Sequence, residues 1–115
     1  MTFFLDPTYP HKYTLHYSPI HGTGVFATSW INTGDRVEKS VEKKTKKLRY
    51  TPFGYYLNHC DTNFNVVLKE KSKGEFWNYA IQPIRPGDEI TTNYDRDASV
   101  YPDVVGSSEP FYKPC

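Results

Sequence analysis

The sequence predicts a mostly β protein of several small sheets with few short helical turns, and three observations carry that expectation. Aromatic residues make up 17% of the chain, with ten tyrosines and seven phenylalanines against one methionine, a composition suited to pleated, half-buried surfaces rather than long helices. Turn-forming residues recur at short intervals: Gly22 and Gly24, Asn32-Thr33-Gly34-Asp35, Pro52 and Gly54, Lys73-Gly74, and Pro86-Gly87. The stretches between them have the length of strands.

Taken in order, Val25 to Trp30 and Arg36 to Val41 read as strands flanking a turn at Asn32 to Asp35. Phe53 to Leu57 has room for no more than a short helical turn. Asn65 to Glu70 and Glu75 to Gln82 are rich in β-formers and read as a hairpin around the polar tip Lys71 to Gly74. Glu89 to Tyr94 follows a Pro-Gly turn as a further strand. The stretch from Asp95 to Cys115 is irregular, but Tyr101, Val104, Val105, Phe111 and Tyr112 suggest a tail packed on the domain.

Length and charge narrow the function classes. The 115 residues fit one domain able to bury its own core. The net charge of +1 disfavours nucleic acid as a partner of the whole surface. Lys43, Lys44, Lys46, Lys47 and Arg49 form the dense basic block, and a solvated loop is the favoured reading of it. The start of the chain lacks the apolar stretch of a signal peptide, and no run is long enough for a bilayer span, so a soluble intracellular protein is expected, with no membrane partner. Two cysteines, Cys60 and Cys115, allow one pairing, which the terminal position of Cys115 disfavours; they are too few for a structural zinc, so no metal is expected. His11, His16 and His21 read as solvated loop histidines.

Three segments could carry chemistry. Ser18 to Phe26 is a glycine-containing turn running into an apolar strand, where Gly22 and Gly24 permit a ligand's close approach or a positive φ. It is no dinucleotide fingerprint, because the third glycine and the following helix are missing. Asn58-His59-Cys60 places donors and acceptors after an apolar run and could read a heteroaromatic edge, although turn chemistry explains it equally simply. Gly87-Asp88-Glu89-Ile90-Thr91-Thr92-Asn93-Tyr94 is a turn and strand ending on a tyrosine, an ordinary packing residue if taken alone.

Together, in this order, the three segments resemble SET-domain protein lysine methyltransferases, over about Tyr17 to Tyr94. The Ser-Pro-x-x-Gly-x-Gly-Val-Phe opening and the Phe53-Gly54 pair are most similar to small stand-alone SET proteins of viral type. The resemblance implies a SET-domain, β-clip-like fold, with residues 1–16 as an N-terminal extension, 17–95 as a minimal SET domain and 96–115 as a tail in the post-SET position without a zinc cluster. It implies S-adenosylmethionine as cofactor, held by His21, Gly22, Thr23, Gly24, Asn58 and His59, and Tyr94 at the methyl-transfer site. Candidates for an aromatic lysine channel are Tyr50, Tyr55, Tyr56 and Phe64, with Phe111 and Tyr112 as a lid. The implied partner is a lysine-containing protein, histone-like or ribosomal, and a homodimer is compatible with the pattern.

The sequence also departs from the family. Only 33 residues separate Gly24 from Asn58, which shortens the insert that forms a wall of the substrate groove in larger relatives. Asp61 to Asn65 replaces the Pro-Asn step after Asn-His-Cys, leaving Asn63 and Asn65 as candidates for its asparagine, and Thr92 stands where an aromatic residue often does. These departures motivate an alternative, a catalytically silent SET-like module that binds protein or peptide. An unrelated β protein whose basic run binds nucleic acid is the remaining alternative.

Overall fold

Short strands separated by tight turns pair into two four-stranded sheets, and a computed structural model describes the chain for residues 11–96 and 100. The elements are β1 (Tyr13–Tyr17), β2 (Thr23–Ala27), β3 (Arg36–Lys44), β4 (Lys47–Tyr50), α1 (Pro52–Tyr56), β5 (Asn58–His59), β6 (Val66–Ser72), β7 (Glu75–Ala80) and β8 (Glu89–Thr92). One sheet has the order β1-β2-β8-β5 and the other β4-β3-β7-β6. The mostly β architecture of small sheets expected from composition is therefore the one observed.

An internal repeat organises the junction between the sheets. Ala27 to Val37 and Ala80 to Ile90 share the pattern Ala-x-x-x-Ile-x-x-Gly-Asp-x-Val/Ile. In each copy the Asp carboxylate accepts a backbone N–H three residues back, Asn32 to Asp35 at 2.9 Å and Arg85 to Asp88 at 3.1 Å, and the Gly takes φ of +90°. The copies lock together reciprocally: Ile31 and Ile84 exchange N–H···O bonds of 2.9 Å, Gly34 N–H donates to Ala80 O at 2.8 Å, and Gly87 N–H donates to Ala27 O at 2.8 Å. The Ala, Ile and Val/Ile positions of both copies are buried in the main core, with Val25, Phe53, Leu57 and Val66. Taken singly in the sequence, the two Gly-Asp turns give no sign of this mutual locking.

Several local expectations need adjusting. The β6–β7 hairpin pairs Ser72 with Glu75, so its tip is Lys73-Gly74 alone. The basic run is no loop: Lys43 to Lys47 turns a β3–β4 hairpin in which Lys44 faces Lys47, with Thr45 at φ 56°. β3 buries residues in adjacent pairs rather than alternately because two irregularities, between Arg36 and Glu38 and between Lys39 and Val41, reset its register on β7. β1 was not expected; it pairs along its whole length with β2 and so crosses the 16/17 boundary drawn from sequence. His16 lies on that strand rather than in a loop, whereas His11 is the exposed loop histidine expected before β1, bonded through Nδ1 to the buried Glu38 at 2.9 Å. Cys60 is disulfide-bonded, against expectation, while Cys115 lies outside the described residues.

α1 begins at the N-cap Thr51, whose Oγ1 accepts the Gly54 N–H at 3.1 Å, with Pro52 in the first turn where no N–H is needed. It packs against β3 so tightly that a Cβ on Gly54 would lie 2.1 Å from Ser40 O. This contact aims the end of α1, and with it Leu57 and Asn58, at the other sheet.

Candidate functional site

β5 is two residues long, yet it fixes the site. Asn58 and His59 pair in parallel with Thr91 and Thr92 of β8, and Cys60 N–H continues the ladder to Thr92 O at 2.8 Å. The chain that leaves β8 thus carries Tyr94 to Leu57 and His59, at the segment entering β5. The tyrosine is held at both ends: its N–H donates to His59 Nδ1 at 3.1 Å and its hydroxyl to Leu57 O at 2.6 Å. Because His59 Nδ1 accepts, the ring hydrogen sits on Nε2, which donates to Asp61 at 2.6 Å. His59 is fully buried and supports Tyr94 from beneath, with ring centroids 5.2 Å apart. Burial, and secondarily the charge of Glu89, push the Tyr94 hydroxyl well above its ordinary range, so it remains protonated at neutral pH.

The turn before β2 is built on one hydroxyl. Ser18 Oγ accepts N–H bonds from Ile20 at 3.0 Å and His21 at 3.3 Å, while Ser18 N–H closes the turn on Gly22 O at 2.7 Å, with Gly22 at φ 47°. The hydroxyl's own proton goes to the Glu89 carboxylate, 2.9 Å from both oxygens. Asn58 joins the same cluster through Nδ2, which has three acceptors around it: Glu89 Oε2 at 2.8 Å, Ser18 Oγ at 3.1 Å and His21 O at 3.1 Å. These acceptors decide which way the amide faces. Gly24 is needed here for space, since a Cβ would lie 2.3 Å from Glu89 Oε2 and 3.0 Å from Asn58 Nδ2.

The result is a cavity of about 320 Å³ lined by His21, Gly22, Thr23, Tyr55, Tyr56, Asn58 and Tyr94. Six of the expected residues, His21, Gly22, Thr23, Asn58, Tyr55 and Tyr56, thus meet Tyr94 in one place. Gly24 and His59 stand behind the wall rather than on it. Tyr50 is not a lining residue: it packs with Val41, Tyr94 and Val100, and its hydroxyl donates to Val100 O. Phe64 is also absent from the lining and has the Arg96 guanidinium 5.7 Å from its ring centre. Phe111 and Tyr112 lie outside the described residues.

Ser18, Leu57 and Glu89 are site residues that the sequence alone does not single out. A serine four residues before a glycine, within a Pro-containing turn, was the available signal for Ser18. Of the two candidate asparagines, Asn65 straps β8, accepting Thr91 N–H and donating to Glu89 O, both at 2.9 Å. Asn63 instead donates its N–H to Cys60 Sγ at 3.3 Å. Thr92 is buried and donates to Val66 O at 3.3 Å, away from the cavity lining. Among the described residues no group of three or more acidic, histidine or cysteine side chains gathers as a metal site.

Comparison with known proteins bears on the fold. The family model of the SET domain matches residues 39–95. A Plasmodium falciparum candidate histone methyltransferase has a similar structure, with TM-score 0.60 and 21% identity over 75% of this chain and 95% of that one. The methyltransferase domain of human PR domain-containing protein 2 is similar at TM-score 0.56 and 17% identity, covering 72% and 76%. A chain of a humanized Chaetomium thermophilum Polycomb Repressive Complex 2 matches at TM-score 0.61 and 20% identity over 76% of this chain but 15% of that one. No curated protein sequence matches. The fold is that of a SET domain, and residues 39–95 carry that domain's sequence pattern.

Proposed function

We propose that this protein transfers a methyl group from S-adenosylmethionine to the side-chain amine of a lysine in a protein substrate. One observation carries the reading: Tyr94, Asn58 and the turn from His21 to Thr23 face a single cavity together with Tyr55 and Tyr56. The residues fit the cofactor. Gly24 leaves room for the Ser18, Glu89 and Asn58 cluster, and that cluster holds the Asn58 amide with its nitrogen turned away from solvent, so its carbonyl oxygen is the group left to receive a cofactor's ammonium. The volume suits a small-molecule site.

When bound, S-adenosylmethionine supplies a methyl group activated on a sulfonium. The protein's part is positional and electrostatic. Tyr94 spends its proton on Leu57 O, so its hydroxyl oxygen presents lone pairs to a polarised methyl group. The faces of Tyr55, Tyr56 and Tyr94 favour a cationic centre and exclude water, and an apolar channel lowers the pKa of an entering lysine toward the neutral amine that can attack. The Ser-Pro opening and the Phe53-Gly54 pair support placement among small stand-alone SET proteins of viral type, with Gly54 required by its contact on β3.

Titration calorimetry with S-adenosylmethionine, followed by labelled-methyl transfer to lysine-containing protein substrates, tests the reading. Tyr94→Phe is expected to keep cofactor affinity within roughly threefold and to lower transfer by about 100-fold or more. Absence of cofactor binding at millimolar concentration contradicts the proposal. Binding with no transfer to any protein lysine points instead to a silent peptide-binding module.

A further inference from the structure

We propose that the two hairpin tips at one end of the second sheet form a docking surface for the phosphate backbone of a double-stranded nucleic acid. The order β4-β3-β7-β6 sets the β3–β4 and β6–β7 turns side by side: Glu42 pairs with Glu75, and Lys43 N–H donates to Gly74 O at 2.7 Å. Lys43, Lys44, Lys46 and Lys47 come from the first tip, and Lys71 and Lys73 from the second. Folding thus adds to the basic run two lysines that the sequence keeps far from it.

The six side chains are exposed, and none enters an ion pair among the described residues. Of the acidic groups at this end, Glu42 and Glu75 are taken up by ion pairs with Lys39, each at 3.1 Å, and Glu70 Oε2 accepts the Gly74 N–H of the second tip at 2.7 Å. Lys44 and Lys47 stand directly opposite each other, a like-charge arrangement that costs stability and that a bound anion would relieve. In a chain of net charge +1, this is a concentrated positive end on an otherwise acidic molecule.

The geometry favours a duplex over other anions. Two strand spacings separate the tips, roughly 10 Å, close to the ~12 Å width of the major groove of B-form DNA, so the two sets of lysines can reach phosphates on its two sides. Lysines are point charges suited to scattered phosphates rather than to bidentate recognition. Among the described residues the exposed large apolar side chains, Leu15, Tyr17, Trp30, Tyr55 and Ile81, all lie outside both tips, so these tips themselves offer charge rather than a stacking platform or an apolar anchor.

Fluorescence anisotropy with a labelled duplex of about 20 base pairs, without cofactor, tests this independently of the methyl-transfer reading. Affinity is expected to fall with salt on a log-log slope of about −4.5 to −5.5, as for five or six phosphate contacts. Lys71→Gln with Lys73→Gln should flatten that slope by about 2, and Gln at 43, 44, 46 and 47 by about 3 to 4, each with an unchanged circular dichroism spectrum and thermal midpoint. No binding at 50 mM salt overturns the proposal. So does parental binding by the Lys71 and Lys73 variant, which would leave only the linear run acting. Displacement of the duplex by polyglutamate at lower charge concentration than by unlabelled duplex also overturns it, in favour of an acidic protein partner.

Discussion

Glu89 does for the candidate site what no cavity-lining residue does, because its carboxylate is an acceptor for two donors at once. It takes the Ser18 proton and an Asn58 N–H, and so sets the turn and the amide together. In Glu89→Gln one carboxylate oxygen becomes an NH2 group; placed against Asn58 it meets a second donor, and turned toward Ser18 it displaces the hydroxyl proton. The Asn58 amide loses its fixed orientation in either case. Cofactor affinity measured by calorimetry is expected to fall about tenfold, roughly 1.4 kcal/mol, with secondary structure intact by circular dichroism. Unchanged affinity would show that the turn orients Asn58 without Glu89. Tyr94 differs from Glu89 in being recognisable from its motif, whereas its two anchors, His59 Nδ1 and Leu57 O, are contacts that residue type alone does not announce.

At the scale of elements, the repeat makes a comparison possible within one molecule. Gly34 and Gly87 share φ of +90°, and a Cβ on either would meet nothing within 4 Å. Their substitution by alanine therefore costs backbone strain alone, about 1–2 kcal/mol, and nearly the same amount at both positions. Gly54→Ala is of another kind, since its Cβ would strike Ser40 O on a neighbouring strand; overpacking there is expected to cost about 3 kcal/mol. Urea denaturation of the three variants measures both statements, and a large difference between Gly34→Ala and Gly87→Ala would contradict the equivalence of the two turns. The short length of β5 is explained at this scale too: two residues suffice because Cys60 N–H continues the ladder to Thr92 O and Tyr94 N–H binds the His59 ring.

For the molecule as a whole, buried phenols bind stability to pH. Tyr13 packs edge-on against Phe53, 5.1 Å between ring centres, and burial with the nearby Glu38 charge raises its hydroxyl to about 12. Tyr94 is raised as well, by burial and then by Glu89. A tyrosine whose folded pKa exceeds its unfolded value near 10 holds its proton more tightly when folded. Its contribution is complete below about pH 10 and is lost as pH climbs toward the folded values. Urea midpoints measured from about pH 8 to 11.5 should be flat at first and then fall, and Tyr13→Phe should make that fall shallower. A midpoint that declines equally in Tyr13→Phe would remove Tyr13 as a source.

Composition and punctuation were enough for the class of fold, because strand propensity and turn chemistry act over a few neighbouring residues. The same local rules placed the β6–β7 hairpin, the helical turn at α1 and the strand before Tyr94 to within a few residues. Asn58-His59-Cys60 and Gly87 to Tyr94 pointed to a SET domain because their order along the chain is a linear property. Folding alone decided the rest. The parallel pairing of β5 with β8 joins residues more than thirty positions apart, and that pairing turns His59 inward and brings Asn58 to Ser18 and Glu89, while Tyr50 stays off the cavity wall because β4 belongs to the other sheet. The adjacency of the two lysine tips has the same origin. Hydrogen-bond partners and shared surfaces depend on which strands lie side by side, and local propensity carries no information about that choice.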